Sequence, residues 1–256
     1  MAVWVYAIGR PEAPMPTVTG VSGEPVRLVH RGRLVAAVSS VSLEDYGEEA
    51  LRRNLEDLQW LDAQARSHHR VISSLMDGGP VLPMRLAILY DNDERVEEML
   101  AETQNEFEAA LTAVSGRSEW GVKVFLSDYG DPNSDSGRTS DPAVEGKKAG
   151  TAYLERKRAG LKARDEARNS HATTAQRVYD LARPFAVAGR RHALQDAQLR
   201  GESREMLLNA AFLVDDERCD EFAAAIDELD RTSSGIDVEL TGPWPPYSFA
   251  FTGVSP

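Results

Sequence analysis

The chain contains 256 residues, of which 42% are hydrophobic and 27% are charged, a composition typical of folded globular proteins. Its 41 acidic and 29 basic residues give a formal net charge of -12, which disfavours binding to nucleic acids or anionic membranes. Because Cys219 is the only cysteine, the sequence excludes intramolecular disulfides and cysteine-based zinc sites. We therefore expect a cytoplasmic protein that needs no metal or organic cofactor and has neither a signal peptide nor a membrane-spanning segment.

The first half of the chain shows the periodicities of a mixed α and β domain. Apolar runs predict strands at residues 3–8 and 81–90, and a hairpin at residues 26–41. Spacings of three and four residues predict a long helix between residues 43 and 76, and a second helix from Asp91 to about residue 114. Pro83 cannot donate a ladder hydrogen bond, so it predicts an edge position or a bulge at that point.

The second half predicts a ferredoxin-like unit, in which the elements follow the order βαββαβ. The predicted strands are at residues 121–126, 188–194, 206–214 and 236–240. A polar stretch at residues 128–146 predicts a mobile loop, which leads into a helix-prone run that is strongly basic at first. That basic run is typical of a solvated helix face. The alternative is a patch for an acidic partner or for the acidic helix predicted at residues 215–230.

Together these patterns predict the α+β class with two domains, residues 1–118 and 119–256. Each domain is expected to hold a small, mostly antiparallel sheet with helices on one face. In the C-terminal domain, the ferredoxin-like unit is expected to carry an extended helical insertion, the mobile loop at 128–146 and an aromatic C-terminal tail.

The sequence contains none of the motifs that mark phosphate-binding loops, zinc proteases or serine-hydrolase nucleophiles. His68 and His69, with carboxylates nearby, are the strongest acid-base candidates. Adjacent residues on a helix point about 100° apart, so these two histidines are badly placed to share a metal ion. His68 also lies on the apolar stripe of its predicted helix, which favours a packed or hydrogen-bonded structural role.

Aromatic and proline residues are dense near the C-terminus. They are Pro243, Trp244, Pro245, Pro246, Tyr247, Phe249 and Phe251. So much apolar area is not expected to stay in water, and the segment should dock on its own domain or on a partner. The first alternative predicts a packed clasp, in which Trp244→Ala lowers the free energy of unfolding by roughly 2–4 kcal/mol. In the second alternative, Trp244 belongs to a partner-binding surface.

Several of these segments resemble the GvpF/GvpL family of gas vesicle accessory proteins. The resemblance lies in VYAI at residues 5–8, the helical His69, VLPMRLA at 81–87, AFLV at 211–214 and GPWPPYSF at 242–249. It therefore extends over nearly the whole chain. Where the family commonly has Phe-Gly after the arginine, this chain has Leu86 and Ala87, which argues against a role that requires glycine there.

The resemblance implies a non-enzymatic gas vesicle assembly protein or minor structural protein of the cytoplasm and the gas vesicle. Its expected partners are the hydrophobic shell protein and other gas vesicle accessory proteins. The candidate partner-binding or motif residues are Pro83, Met84, Arg85, Trp244, Pro245, Pro246, Tyr247 and Phe249. One alternative is a small-molecule-binding regulatory protein with ferredoxin-like domains, and a weaker one is an enzyme that uses His69 and Arg85.

Overall fold

The computed structural model describes residues 1–12, 15–76, 78–127, 170–195, 204–233 and 235–250. Within these ranges nine strands form two sheets, and helices pack against them, so the predicted α+β class is confirmed.

The elements are named here in chain order. They are β1 (Ala2–Gly9), β2 (Arg27–Arg31), β3 (Leu34–Val41), α1 (Leu43–Tyr46), α2 (Glu48–Asn54), α3 (Leu58–Met76), β4 (Val81–Pro83), β5 (Leu89–Tyr90), α4 (Asp93–Glu102), α5 (Gln104–Val114), β6 (Arg117–Leu126), α6 (described for residues 170–182), β7 (Ala188–Arg191), β8 (Met206–Asp215), α7 (Cys219–Thr232) and β9 (Ile236–Trp244).

Residue contacts divide the chain into two compact units. The first unit holds Met1–Trp120, Leu213–Glu217 and the segment that begins at Gly242, and the second holds Gly121–Phe212 and Arg218–Thr241. The predicted domain division at residue 118 remains a prediction. The contact units differ from it most at the C-terminus, because the segment from Gly242 belongs to the first unit.

The first sheet has the strand order β2-β3-β1-β4, with β5 also paired to β1. Every residue of β1 is buried although successive side chains point to opposite faces, so both faces of this sheet are covered. On one face, Trp4 and Tyr6 of β1 pack with Val71, Ile72 and Leu75 of α3. The helices α4 and α5 contact β2, β3 and β4. The continuous apolar sequence of β1 is the signal for this two-sided burial, which adds a helical layer to the one that was predicted.

The single helix predicted between residues 43 and 76 is wrong, because the chain forms three helices there. Gly47 separates α1 from α2, and a Cβ at that position would lie 2.4 Å from the Leu43 carbonyl oxygen. Before α3, the Asp57 carboxylate accepts hydrogen bonds from the backbone N–H groups of Gln59 (2.9 Å) and Trp60 (3.3 Å). This side chain therefore caps a new helix start.

The apolar segment at residues 81–90 forms two short strands rather than the predicted one. Pro83 ends β4, which lies at the edge of the first sheet, in agreement with the position predicted for this proline. Ala87 then has a φ of +64°, a left-handed backbone conformation that residues with a Cβ rarely adopt. The turn through Ala87 separates β4 from β5.

Replacing Ala87 by glycine is expected to raise the free energy of unfolding by about 0.5–1 kcal/mol. The left-handed conformation costs a residue with a Cβ about 1–2 kcal/mol, and the greater freedom of glycine in the unfolded chain offsets about 0.5–1 kcal/mol of the gain. Denaturant unfolding measures the difference. Ala109→Gly on the exposed side of α5 is the matched control, expected to lower stability by about 1 kcal/mol. Equal losses in both variants would contradict strain at Ala87.

The second sheet has the strand order β7-β8-β6-β9. The first and third strands of the βαββαβ order, β6 and β8, are therefore central, and the second and fourth, β7 and β9, lie at the edges. This arrangement is that of a ferredoxin-like unit and agrees with the predicted topology. In the core of the second unit, the rings of Phe212 and Phe222 lie 5.6 Å apart and join β8 to α7.

Two predicted features lie outside the described residues, namely the mobile loop at 128–146 and the basic part of the helical run. The structure describes that run only from residue 170, as α6. The helix buries Ala175, Val178 and Ala182, whose spacings of three and four residues place them on one face.

Candidate functional site

An open groove of about 520 Å³ lies on the first unit, at the middle of α3, the turn after β4 and the chain that leaves β9. Its lining residues are Ala65, His68, His69, Met84, Arg85, Leu86, Glu119, Trp244 and Tyr247. The volume lies within the range of ligand-binding pockets, ~300–1,000 Å³. The groove brings together two motif segments that lie far apart in the sequence.

The backbone of Met84 forms one wall of the groove and is held from two sides. Its N–H donates to the Tyr6 carbonyl oxygen of β1 (2.8 Å), and its carbonyl oxygen accepts from Nε2–H of His68 (3.0 Å). The other ring nitrogen of His68, Nδ1, accepts from the indole N–H of Trp4 (2.9 Å). Because an indole N–H can only donate, this contact assigns the His68 proton to Nε2. His68 therefore has the structural role predicted for it.

His68 is only 4% exposed, and its environment favours the neutral ring. Burial lowers the pKa of His68 from an ordinary value of 6.5 to about 4, against the opposing effect of its hydrogen bond to Met84. A proton on Nδ1 would remove the acceptor for Trp4 and place a charge in the core. His68 is thus unsuited to acid-base chemistry near neutral pH.

The end of β9 and the chain that follows it contact residue 119 at two places. Gly242 has a φ of +133°, and a Cβ there would lie 2.9 Å from the Glu119 carbonyl oxygen, so this position requires glycine. Further along, the Glu119 carboxylate accepts hydrogen bonds from the backbone N–H and the hydroxyl of Ser248, both at 2.6 Å. The buried side chains of this segment are Pro245, Pro246, Phe249 and Ala250.

Trp244 and Tyr247, in contrast, are 41% and 39% exposed. The prediction that Trp244 is a buried anchor of the clasp is therefore wrong. The backbone turns at Pro245, whose carbonyl oxygen accepts from the Tyr247 N–H at 2.7 Å. This turn buries Pro245 and Pro246 and leaves the two aromatic side chains at the surface of the groove.

His69 contacts both exposed rings. Its ring centroid lies 5.5 Å from that of Trp244 and 6.0 Å from that of Tyr247. Partial burial, and secondarily the charge of Glu119, raise the pKa of the Tyr247 hydroxyl. This hydroxyl is hydrogen-bonded to Nδ1 of His69 at 2.9 Å. The Nε2 of His69 lies 3.3 Å from the Ser73 hydroxyl. His69 therefore orients the aromatic pair.

Arg85 is an exposed cation at the groove, directly after the fixed backbone of Met84. Over the part of the chain that the structure describes, its guanidinium has no carboxylate partner. Arg66 on α3 differs, because it is paired with Asp62 at 2.8 Å. The lining of the groove thus combines aromatic and methionine side chains with one carboxylate and one cation. The carboxylate, Glu119, is hydrogen-bonded to Ser248, and the cation, Arg85, is available to an incoming carboxylate.

The eight candidate residues predicted from the sequence fall into two groups. Those that line the groove are Met84, Arg85, Trp244 and Tyr247. Those that are buried beside it are Pro83, Pro245, Pro246 and Phe249. The sequence prediction missed Glu119, because no motif marks this residue and its contact with Ser248 spans 129 positions.

Two further observations concern the described residues only. None of their helices is long and apolar enough to cross a membrane. Their histidine, cysteine, aspartate and glutamate side chains form no group of three or more that could hold a metal ion.

The fold and the groove define a two-unit α+β protein with an exposed aromatic site. A model of the family described as "Gas vesicle synthesis protein GvpL/GvpF" matches residues 2–250. The chain therefore belongs to the GvpF/GvpL family of gas vesicle proteins, and the resemblance seen in its motifs is confirmed.

Known relatives and solved structures show the same similarity over nearly the full chain. Gas vesicle protein L of Streptomyces sp. (strain CB03234) is 39% identical over 96% of this chain and 92% of its own length. Gas vesicle protein F of the same strain is 28% identical, with coverage of 97% and 99%. The crystal structure of GvpF from Anabaena sp. PCC7120 superposes with a TM-score of 0.67 at 20% identity, covering 99% of this chain and 97% of that one. The last comparison supports the fold.

Proposed function

We propose that this chain is a non-enzymatic, cytoplasmic protein of gas vesicle assembly, or a minor structural protein of the vesicle. It binds the hydrophobic shell protein and other gas vesicle accessory proteins, and the groove of the first unit is the binding surface. The observation that carries the proposal is the exposed pair Trp244 and Tyr247 within a groove built from family-like motif segments.

Physical reasoning supports a protein partner for this surface. A protein that will line a gas space has apolar surface that must be covered before assembly, since water penalises its exposure. Tryptophan, tyrosine, arginine and methionine are the residues enriched in protein interfaces, and all four line this groove. The groove therefore has the composition of an interface centre.

The contacts of the two histidines support a non-enzymatic protein. His68 is neutral and hydrogen-bonded at both ring nitrogens, and His69 is held between two aromatic rings. Neither arrangement leaves a ring nitrogen directed at an open reaction site. The small-molecule alternative uses the same groove, and it predicts that a bound metabolite raises the melting temperature.

Trp244→Ala is expected to lower the amount of shell protein that co-purifies with the tagged chain by about tenfold. Loss of a central tryptophan from an interface typically costs 2 kcal/mol or more, which corresponds to at least that factor. The measurement is affinity capture after co-expression with the shell protein, quantified by mass spectrometry. Leu43→Ala is the matched control, because Leu43 is 56% exposed in α1 and does not line the groove.

Equal capture by Trp244→Ala and the wild-type chain would reject the groove as the shell-protein surface. The melting temperature of each variant is measured alongside, so that unfolding is not mistaken for lost binding. Washed gas vesicles are then tested for this chain: retention indicates a minor structural protein, and absence indicates an assembly factor.

A further inference from the structure

One face of α3 carries apolar side chains that lead toward the groove, which this face enters at Ala65. Leu58, Leu61, Ala65 and His69 follow one another at spacings of three and four, which places them on one side of the helix. Leu58 is 78% exposed, Leu61 is half-buried, and Ala65 is exposed where it enters the groove. We call these four residues the leucine face of α3.

The leucine face is unusual for a surface that only meets water. Its buried neighbours on α3, such as His68 and Ile72, already pack on the first sheet, so Leu58 is not needed for that core. Leu55, just before α3, is a further exposed leucine at 41%. A row of apolar side chains that leads into an aromatic groove is typical of a protein-binding surface.

The dimensions and the charge indicate the occupant. From Leu58 to His69 the surface extends for about 16 Å, at 1.5 Å per helical residue, which matches about three turns of a second helix. Ridges of side chains spaced by three and four residues are the features that another helix packs against. At the far end, Arg85 offers a guanidinium without a carboxylate partner among the described residues. A carboxylate is the group that complements it.

We propose that the leucine face and the groove together bind one amphipathic helix of a partner protein. The apolar side of that helix covers Leu58, Ala65 and the Trp244–Tyr247 pair, and a carboxylate flanking its apolar side pairs with Arg85. This inference rests on the proposed function, in which the groove is a protein-binding surface, and it adds the secondary structure and the charge of the bound segment.

The probe is a synthetic, fluorescently labelled helical peptide of about 18 residues, long enough to form helix in water. Leucines occupy positions i, i+3, i+4 and i+7, and the flanking positions carry glutamate, glutamine or lysine in three otherwise identical versions. Binding to the full chain is measured by fluorescence anisotropy at ~0.15 M salt, where long-range effects of the net charge of -12 are largely screened. We expect the glutamate peptide to bind most tightly, the glutamine peptide less tightly and the lysine peptide most weakly. The net charge alone would favour the reverse order.

Two variants test the two parts of the surface. Arg85→Gln should weaken the glutamate peptide by about fivefold and leave the glutamine peptide unchanged, because only the ion pair is removed. Leu58→Ser should weaken the binding of all three peptides by about tenfold, because Leu58 is covered by the peptide in the complex and this apolar contact is lost. The matched controls are Arg70→Gln, an exposed arginine pointing away from the leucine face, and Leu43→Ser in α1.

Several outcomes would overturn the inference. These are no binding of any peptide, a preference for lysine, or equal effects of the variants and their controls. Self-association of the chain that Leu58→Ser abolishes, measured by sedimentation equilibrium, would assign the surface to a second copy instead. If the peptides fail but Trp244→Ala still loses the shell protein, the inference fails and the proposed function stands. If the peptides bind as expected but Trp244→Ala captures as much shell protein as the wild-type chain, the surface binds a helix of another partner. The shell-protein part of the proposed function then fails.

Discussion

Replacing Phe249 by alanine is expected to lower the free energy of unfolding by about 3 kcal/mol, the cost of truncating a buried phenylalanine. Phe249 is 8% exposed and follows the two buried prolines of the C-terminal segment. Its removal leaves a cavity that the prolines cannot fill, because their rings fix the backbone on the N-terminal side. Denaturant unfolding of the full chain, followed by far-ultraviolet circular dichroism, measures the loss.

Trp244→Ala is the comparison that tests which side chains of this segment are buried and which are exposed. Because Trp244 is 41% exposed, its removal is expected to cost about 1 kcal/mol, well below the cost at Phe249. Affinity for the shell protein should follow the opposite order, provided that Phe249→Ala remains folded under the assay conditions. A larger stability loss for Trp244→Ala than for Phe249→Ala would show that Trp244 anchors the segment after all.

Most strands of the first sheet and the topology of the second sheet could be predicted from local patterns. The run of apolar residues in β1, the hairpin of β2 and β3 and the βαββαβ order of the second half are properties of short windows of sequence. The breaks within the first helical region were not predicted, because they depend on single residues. Gly47 and the capping side chain of Asp57 interrupt an apolar periodicity that otherwise continues from residue 43 to residue 76.

The candidate site was predicted only in part, because it depends on contacts between distant residues. Composition identified the aromatic segment, but it did not decide which side chains are buried. The turn at Pro245 and the hydrogen bonds between Glu119 and Ser248 determine which side chains of the segment are buried. Nothing in the sequence near Glu119 indicates its distant partner. The difference at Ala87, where related sequences commonly have glycine, has a structural explanation. The φ of +64° at this position is a conformation that glycine adopts without a steric cost.

The core of the first unit and the groove are physically connected through His68. Trp4 is a buried side chain of the core, and both His68 and Met84, the other members of this hydrogen-bonded series, also line the groove. A change at His68 therefore acts on core stability and on the position of Met84 and Arg85 together. Variants of His68 should accordingly be assessed for folding before any change in partner binding is interpreted.

The stability of the protein should decrease by about 3 kcal/mol between pH 7 and pH 4 through His68 alone. The pKa of His68 is lowered from 6.5 in the unfolded chain to about 4 in the folded protein, chiefly by burial. Between these two values the unfolded state binds more protons, so the free energy of unfolding falls as the pH falls. Above about pH 6.5 the contribution is fully present, and it is lost progressively as the pH approaches 4.

The matched pair His68→Gln and His69→Gln isolates this contribution from other titrating groups. Glutamine at position 68 can still donate to the Met84 carbonyl but does not titrate. The free energy of unfolding of His68→Gln should therefore fall by about 3 kcal/mol less than that of the wild-type chain between pH 7 and pH 4. His69→Gln keeps His68 and should retain the steeper wild-type slope. Denaturant midpoints measured at half-unit intervals from pH 7 to pH 4 give both slopes. Parallel curves for wild type and His68→Gln would show that His68 is protonated as easily in the folded protein as in the unfolded chain, and the neutral, doubly hydrogen-bonded ring would then be rejected.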